Sequence, residues 1–381
     1  MTRTFAVQTA ACLTLAAALA GLGARAQEPG LKTRNVVLIV LDGVRPEEIF
    51  TGADEGLLDS EHGGIWADAK TLRREFWRDD ATARRAALMP FLWGSIARDG
   101  QIFGNQKKGS VARVTNGQAF SYPGYNEMLT GRPDPQITSN EFGPNPNTTV
   151  FEWLNHLPEL HDRIAVFGTW GTFADIFNVR RSRLHMQAGW RLEEIRGTGP
   201  RRQLIEELFR TTTRLDDEDL YDSFLQVLLR DYVETAKPRL LFVGYGEADN
   251  WAHSGRYDLV LDSCRQIDRF IEQLWKLMQS IPEYRGTTTF LITADHGRGH
   301  GPVEWKEHGA EEKGSENIWL AAMGPDTPAL GERGPAEPLA QAQIAATIAA
   351  LFGKDFRAEN QAAAPPINDV IGRGNHTSNG R

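Results

Sequence analysis

Six acidic or imidazole side chains and one serine are set in short motifs, most of them where an apolar run ends. Asp42 precedes Gly43 after Val40 and Leu41. Ser121 lies in Phe-Ser-Tyr-Pro-Gly-Tyr at 120–125. Asp249 and His253 bracket Asp-Asn-Trp-Ala-His, Asp295 and His296 sit in Thr-Ala-Asp-His-Gly, and His308 follows in Lys-Glu-His-Gly. Carboxylate oxygens and neutral imidazole nitrogens are ligands for divalent cations. A serine hydroxyl is a feeble nucleophile at neutral pH until a base or a metal takes up its charge. Together these groups are the equipment of a two-metal hydrolase acting on a phosphate or sulfate ester.

Each motif also has a plainer role. Asp42 before Gly43 is a common turn pair. Asp249 and His253 are four apart, which on a helical turn puts both on one face and lets them share a cation; an acid at a helix start with a surface histidine has the same spacing. Asp295-His296-Gly297 can be a polar turn. His308 can be a surface imidazole, and His300 in the same loop competes with it for a ligand role. Ser121 can be a turn serine bonded to its own backbone, and no Gly-x-Ser-x-Gly surrounds it to make an esterase elbow. The joint order of the motifs carries more weight than any one of them.

The elements that must position these groups are legible as alternating patterns. Asn35–Leu41 is a short β-branched and aliphatic run that ends in Asp-Gly, the pattern of a strand buried on both faces. Segments 163–168, 239–246, 288–294 and 318–324 repeat it. Between them lie helical segments at 220–232 and 262–279, the second with Ile267, Phe270, Ile271, Leu274, Leu277 and Met278 at helical spacing. Cys264 falls on that same face, as a packing residue. Such alternation predicts an α/β fold, a three-layer sandwich around a central, mostly parallel sheet. Sites in such sheets form beyond the carboxyl ends of the strands, where Asp42, Asp249 and Asp295 fall.

The 381 residues, 41% hydrophobic and 24% charged, suffice for a large buried core. Residues 1–26 are expected to be a secretory signal: Arg3, an Ala/Leu/Thr run too short to span a bilayer, then Ala24-Arg25-Ala26 as a cleavage site. The mature protein is then exported to a periplasmic or external space, with no stable membrane anchor. Cleavage removes two arginines and no acid, moving the formal charge from −8 to −10, which argues against nucleic acid as a partner. Only Cys12 and Cys264 occur, and Cys12 leaves with the signal, so no internal disulfide is expected. One catalytic domain is expected over 27–356, with insertions at about 51–118 and 170–235, and a loosely held tail over 357–381. Arg73, Arg74, Arg84 and Arg85 are expected on a solvated helix face. Trp66, Trp77, Trp93, Trp153 and Trp251 could wall a pocket for an apolar leaving group or pack the core.

Taken in order, the motifs resemble those of the alkaline phosphatase superfamily, on the side of the nucleotide pyrophosphatase/phosphodiesterase branch. That branch looks like Asp-Gly at the first strand, Thr or Ser-aromatic-Pro at the nucleophile and a Thr-Gly pair soon after, here Thr130-Gly131. The resemblance covers about 33–355. It implies an alkaline phosphatase-like fold and two neighbouring divalent cations. One is held by Asp42, Asp295 and His296 with Ser121, the other by Asp249, His253 and His308. Zinc suits this ligand set best, with manganese or iron compatible. It further implies attack of Ser121 on phosphorus, a phospho-serine intermediate hydrolysed by water, and Asn140 as the asparagine that contacts a phosphate oxygen. The substrate is then a small phosphate ester, with a diester favoured. Two departures stand out. Gly124-Tyr125 replaces the Asn-His more usual in the diesterases. The Arg of the sulfatase pattern Cys/Ser-x-Pro-Ser-Arg is missing, which argues against a formylglycine at 121. A phosphomutase shares the ligands, but an export leader argues against a cytoplasmic metabolite as substrate. A non-catalytic binding protein on the same scaffold is the third alternative.

Overall fold

Valine, isoleucine and leucine take six of the seven positions of β1 (Asn35–Leu41), and all seven residues are buried. With no polar face, such a strand is stable only between two covering layers. Val37, Ile39 and Leu41 enter one apolar cluster and Val36, Leu38 and Val40 the other, the period-two alternation of a pleated strand.

In the computed structural model, which describes residues 30–191, 200–214 and 216–373, nine further strands follow in chain order. They are β2 (Gln101–Phe103), β3 (Ala112–Arg113), β4 (Ile164–Gly168), β5 (His185–Ala188), β6 (Leu240–Tyr245), β7 (Thr288–Thr293), β8 (Leu320–Met323), β9 (Gly331–Glu332) and β10 (Leu339–Ala340). Eight form the central sheet in the order β5-β4-β6-β1-β7-β8-β2-β9, and β10 pairs with β3 separately. The run from β5 to β7 is parallel, and β8 is antiparallel to both its neighbours. Leu41 pairs with Tyr245, and Val40 with Thr293. The three central strands therefore end level with one another, and the residues that follow them emerge along one edge.

One face of the sheet is covered by the helix Tyr257–Ser280, through Leu261, Cys264, Ile267, Ile271 and Leu274, and by Asp222–Ala236, through Leu225, Leu229 and Val233. The other face is covered by Ser121–Thr130, Val150–Asn155 and Gln343–Leu351, through Tyr125, Met128, Leu129, Phe151, Leu154, Ile344 and Ile348. This is the three-layer α/β sandwich expected. Cys264 is buried and free, as its helical register predicts.

The expected insertions are more deeply woven into the fold than the sequence suggests. Segment 51–118 supplies β2, and 170–235 supplies the edge strand β5. Of the four arginines, Arg84 donates to the Thr51 carbonyl at 2.7 Å and Arg85 makes a forked pair with Glu332 at 3.0 Å. Those two are tethers rather than a solvated face. The chain beyond 357 is also not loose as far as it is described: Ile367, Val370 and Ile371 are buried, and Ala364 donates to the Gly131 carbonyl. The expected signal and its cleavage site, and residues 374–381, lie outside the described residues. Among the described residues no helix is long and apolar enough to cross a membrane.

Candidate active site

Beyond the level ends of β6, β1 and β7 the chain delivers Asp42 directly, Asp295 and His296 after one intervening residue, and the helix Glu247–His253. Ser121 is the first residue of the helix Ser121–Thr130, not part of a turn as its Pro-Gly neighbours suggest. It follows Ala119, whose φ of 50° is rare for a residue with a side chain. That bend is held by Asn116, whose Oδ1 accepts from the Gln118 and Ala119 N–H groups at 2.8 and 2.9 Å. The positive end of the helix lies at the serine hydroxyl and favours its ionised form.

Two ligand clusters result. In the first, Nε2 of His296 lies 3.3 Å from Ser121 Oγ and 3.4 Å from both Asp42 Oδ1 and Asp295 Oδ2. These are long for hydrogen bonds. They match the edge of a tetrahedron of ligands around zinc, about 3.3–3.4 Å for bonds of about 2.0–2.1 Å. Asp42 Oδ1 and Asp295 Oδ2 are buried and accept no hydrogen bond, a costly state for carboxylate oxygens unless a cation faces them. The second oxygen of each acid is occupied. Tyr125 donates to Asp42 Oδ2 at 3.0 Å and the Gly43 N–H to Asp295 Oδ1 at 3.1 Å. His296 Nδ1 faces the Gly297 carbonyl at 2.8 Å, so it carries the proton and leaves the Nε2 lone pair for a cation.

Asp249, His253 and His308 form the second cluster. His253 Nε2 lies 3.3 Å from Asp249 Oδ2 and 2.9 Å from His308 Nε2. A contact this short between two ring nitrogens is met either by a proton on one of them, as a hydrogen bond, or by a cation that both lone pairs share. Arg298, buried, donates to Asp249 Oδ1 and to the Lys306 carbonyl, which ties the His308 loop to the Asp249 helix. His300 pairs instead with Glu47 at 2.8 Å and takes no part, so His308 is the ligand candidate of that loop. The donor set of both clusters, oxygen and nitrogen only, fits zinc, manganese or iron.

The charges respond to this crowding. Burial, then the neighbouring Asp42, push the Asp295 carboxyl well above its usual range. Burial opposes charge on His296, but Asp295 and Asp42 outweigh it and pull the imidazole up to about 9. Burial, then His296, push His308 down to about 2, so it presents a neutral ring. Burial works against the Asp249 charge too, but Arg298 and the two histidines hold its carboxyl well below normal. A proton on His296 thus stands where the first cluster calls for positive charge.

Both clusters open into a cleft of about 200 Å³. Asp42, Ser121, Asn140, Asp249, His253 and His308 line it together with Trp170, Asp219, Gly246 and Asn250. Asn140 Oδ1 accepts from the Tyr122 N–H at 3.0 Å, which fixes the amide and leaves Nδ2 as a donor beside Ser121. All eight residues singled out from sequence are therefore brought together. None of the five tryptophans singled out is among the cleft residues. Trp66, Trp77 and Trp93 lie under arginines, Trp153 packs on Phe356, and Trp251 packs against the core. Trp170 is the tryptophan that lines the cleft. Asp219, which burial and Asp216 push up to about 7, and Arg298 also belong to the site, and neither has a local motif that marks it.

Two glycines admit the site. A Cβ on Gly43, whose φ is +60°, would fall 2.4 Å from Asp249 Oδ1, and one on Gly124 would fall 2.5 Å from the Asp295 carbonyl. Gly124, a departure from the diesterase pattern, thus lets the helix Ser121–Thr130 sit against the strand end that bears Asp295 and His296.

No protein-family model matches the sequence, and no curated protein matches it. Solved structures do. Alkaline phosphatase PafA is 11% identical, with 90% of this chain and 99% of that chain covered at a TM-score of 0.56. The phosphonate monoester hydrolase SpPMH from Silicibacter pomeroyi is 13% identical over 92% of this chain and 78% of that one, at 0.53. A 2-O GAG sulfatase is 14% identical over 90% and 75%, at 0.52. At these identities the likeness shows the fold, and it is the alkaline phosphatase-like fold that the motifs imply.

Proposed function

We propose that this chain is an exported, metal-dependent hydrolase of phosphate esters, on the phosphodiesterase side of the alkaline phosphatase superfamily. The observation that carries this is the placement of Ser121 Oγ and two unpartnered carboxylate oxygens around His296 Nε2 at tetrahedral-edge distances. Asp42, Asp295 and His296 with Ser121 would hold one divalent cation, and Asp249, His253 and His308 the other. When bound, such a pair supplies positive charge that favours the Ser121 alkoxide and the departing oxygen of an in-line displacement.

The remaining roles belong to the chain. Ser121 Oγ attacks phosphorus. The Oγ–P bond forms as the ester P–O bond breaks, and the departing alkoxide takes a proton from solvent. Water then attacks phosphorus and frees Ser121, releasing the phosphoryl product. Asn140 Nδ2 donates to a non-bridging phosphate oxygen and orients it for attack. None of the ten residues lining the cleft named above is Lys or Arg. That suits the single charge of a phosphodiester better than the double charge of a monoester.

A sulfate ester is the second reading, favoured by the likeness to a sulfatase structure and opposed by Tyr125 where the sulfatase pattern has Arg. Hydrolysis of bis-p-nitrophenyl phosphate, p-nitrophenyl phosphate and p-nitrophenyl sulfate by the zinc-loaded protein separates these. The expected order is diester first, with Ser121→Ala lowering kcat by roughly 10³-fold or more. Turnover of the sulfate alone, or full activity in Ser121→Ala, contradicts the proposal.

A further inference from the structure

The wall of the cleft carries chemistry that the hydrolytic machinery does not use. Trp170 lies just past the carboxyl end of β4, and the segment holding Asp219 is docked along it. Leu220 N–H donates to the Thr169 carbonyl at 2.8 Å and Gly171 N–H to the Glu218 carbonyl at 3.2 Å. The indole Nε1 donates to Glu218 Oε2 at 3.3 Å, which anchors the ring. Asn250, next to the ligand Asp249, donates through Nδ2 to Asp219 Oδ2 at 3.0 Å. Among the described residues Asp219 Oδ1 accepts no hydrogen bond, and Asp219 lines the cleft. An aromatic ring, a carboxylate and an amide are thus fixed against one another within reach of Ser121.

We propose that Trp170, Asp219 and Asn250 form the subsite for the alcohol substituent of the substrate, and that this substituent carries an ammonium group. The inference rests on the phosphoester reading above. Asp219 belongs to a run of four acids, 216–219. Within it Asp217 meets Arg214 at 3.6 Å and Glu218 is taken by the indole. Asp219 receives only a neutral amide donor. A half-buried carboxylate without a cation is costly to keep ionised, and a ligand that brings the missing charge recovers that cost. The Trp170 indole lines the same cleft as Asp219, and an aromatic ring adds attraction for a cation and none of comparable strength for a neutral hydroxyl. A polyol would hydrogen-bond to Asp219 but leave its charge unmatched.

The test is binding, so that it does not depend on turnover. Zinc-loaded Ser121→Ala protein is titrated calorimetrically with phosphocholine, with its uncharged isostere 3,3-dimethylbutyl phosphate, and with glycerol phosphate. Phosphocholine is expected to bind at least about tenfold more tightly than the isostere. Adding Asp219→Asn should cut that preference to less than about threefold, and Trp170→Leu should cut it in the same direction. Equal binding of the first two ligands, a preference that survives both substitutions, or tighter binding of glycerol phosphate overturns the proposal. Loss of bis-p-nitrophenyl phosphate hydrolysis by the unsubstituted protein would instead remove the phosphoesterase reading, and the binding comparison would still stand on its own.

Discussion

Tyr125, the Gly43 N–H and the Gly297 carbonyl each occupy one atom of a candidate ligand and so decide which atom it presents to the site. Tyr125→Phe removes the donor that holds Asp42. Its expected effect is a tenfold to hundredfold loss of metal affinity, as for other groups that orient ligands, at a stability cost of about 1 kcal/mol; chelator competition and thermal unfolding measure the two. His296 gives the pH dependence. Held up to about 9 without metal, it is protonated below that pH and must release its proton for a cation to bind. Metal affinity should therefore rise with pH up to about 9 and flatten above, and proton release should be detectable in buffers of different ionisation enthalpy. Asp42, Asp249, Asp295 and His296 were legible in the sequence because they lie in compact motifs just past strand ends. Arg298 and Asp219 were not. Their neighbours in space, Asp249 and Asn250, are about 49 and 31 residues away, and no periodicity marks them. The choice between His300 and His308 also needed the fold, since only loop closure through Arg298 brings one of them in.

The helix Ser121–Thr130 is the element on which the chemistry turns. Glu127, buried within it, accepts from Thr115 N–H and Oγ1, Asn116 Nδ2 and Ala342 N–H at 2.7–3.3 Å. It pins the loop that leads into Ser121. Glu127→Ala would leave these donors unmatched, with an expected cost of about 2–4 kcal/mol. Gly124→Ala should be harmful for a different reason. Its Cβ meets the Asp295 backbone, so helix and strand end must part, with about 1–3 kcal/mol lost and kcat falling more than KM rises. Denaturant titration and steady-state kinetics check both. The sequence conceals this helix because proline and glycine at its third and fourth positions are turn signals; proline is tolerated there since the first turn needs no internal N–H donor. Longer elements were plain. The apolar run at 262–279 lies within Tyr257–Ser280, and the central strands fall where β-branched runs fall. Three-residue β2 and two-residue β9 carry too few residues for any pattern.

Across the whole molecule, the far edge of the sheet is held by Glu332 on β9. It gathers Arg85, Asn105 and Lys108 at 2.5–3.0 Å. Burial opposes its charge, but these donors win and hold the carboxyl down at about 2. A depressed folded-state value stabilises above the unfolded value near 4.5 and is lost as pH falls toward 2. Glu332→Gln should therefore be less stable than the parent at pH 7, by about 1–3 kcal/mol. The gap should close on acidification through that window, as followed by thermal unfolding. The level ends of β6, β1 and β7 give the architecture its purpose, since they aim Asp42, Asp295, His296 and the Asp249 helix at one volume beside Ser121. The most direct measurement is an anomalous difference map at the zinc edge from crystals grown with zinc. Two peaks about 4 Å apart are predicted, one bonded to Asp42, Asp295 and His296 beside Ser121, the other to Asp249, His253 and His308. No peak within bonding distance of these residues, with zinc present at saturating concentration, would contradict the account.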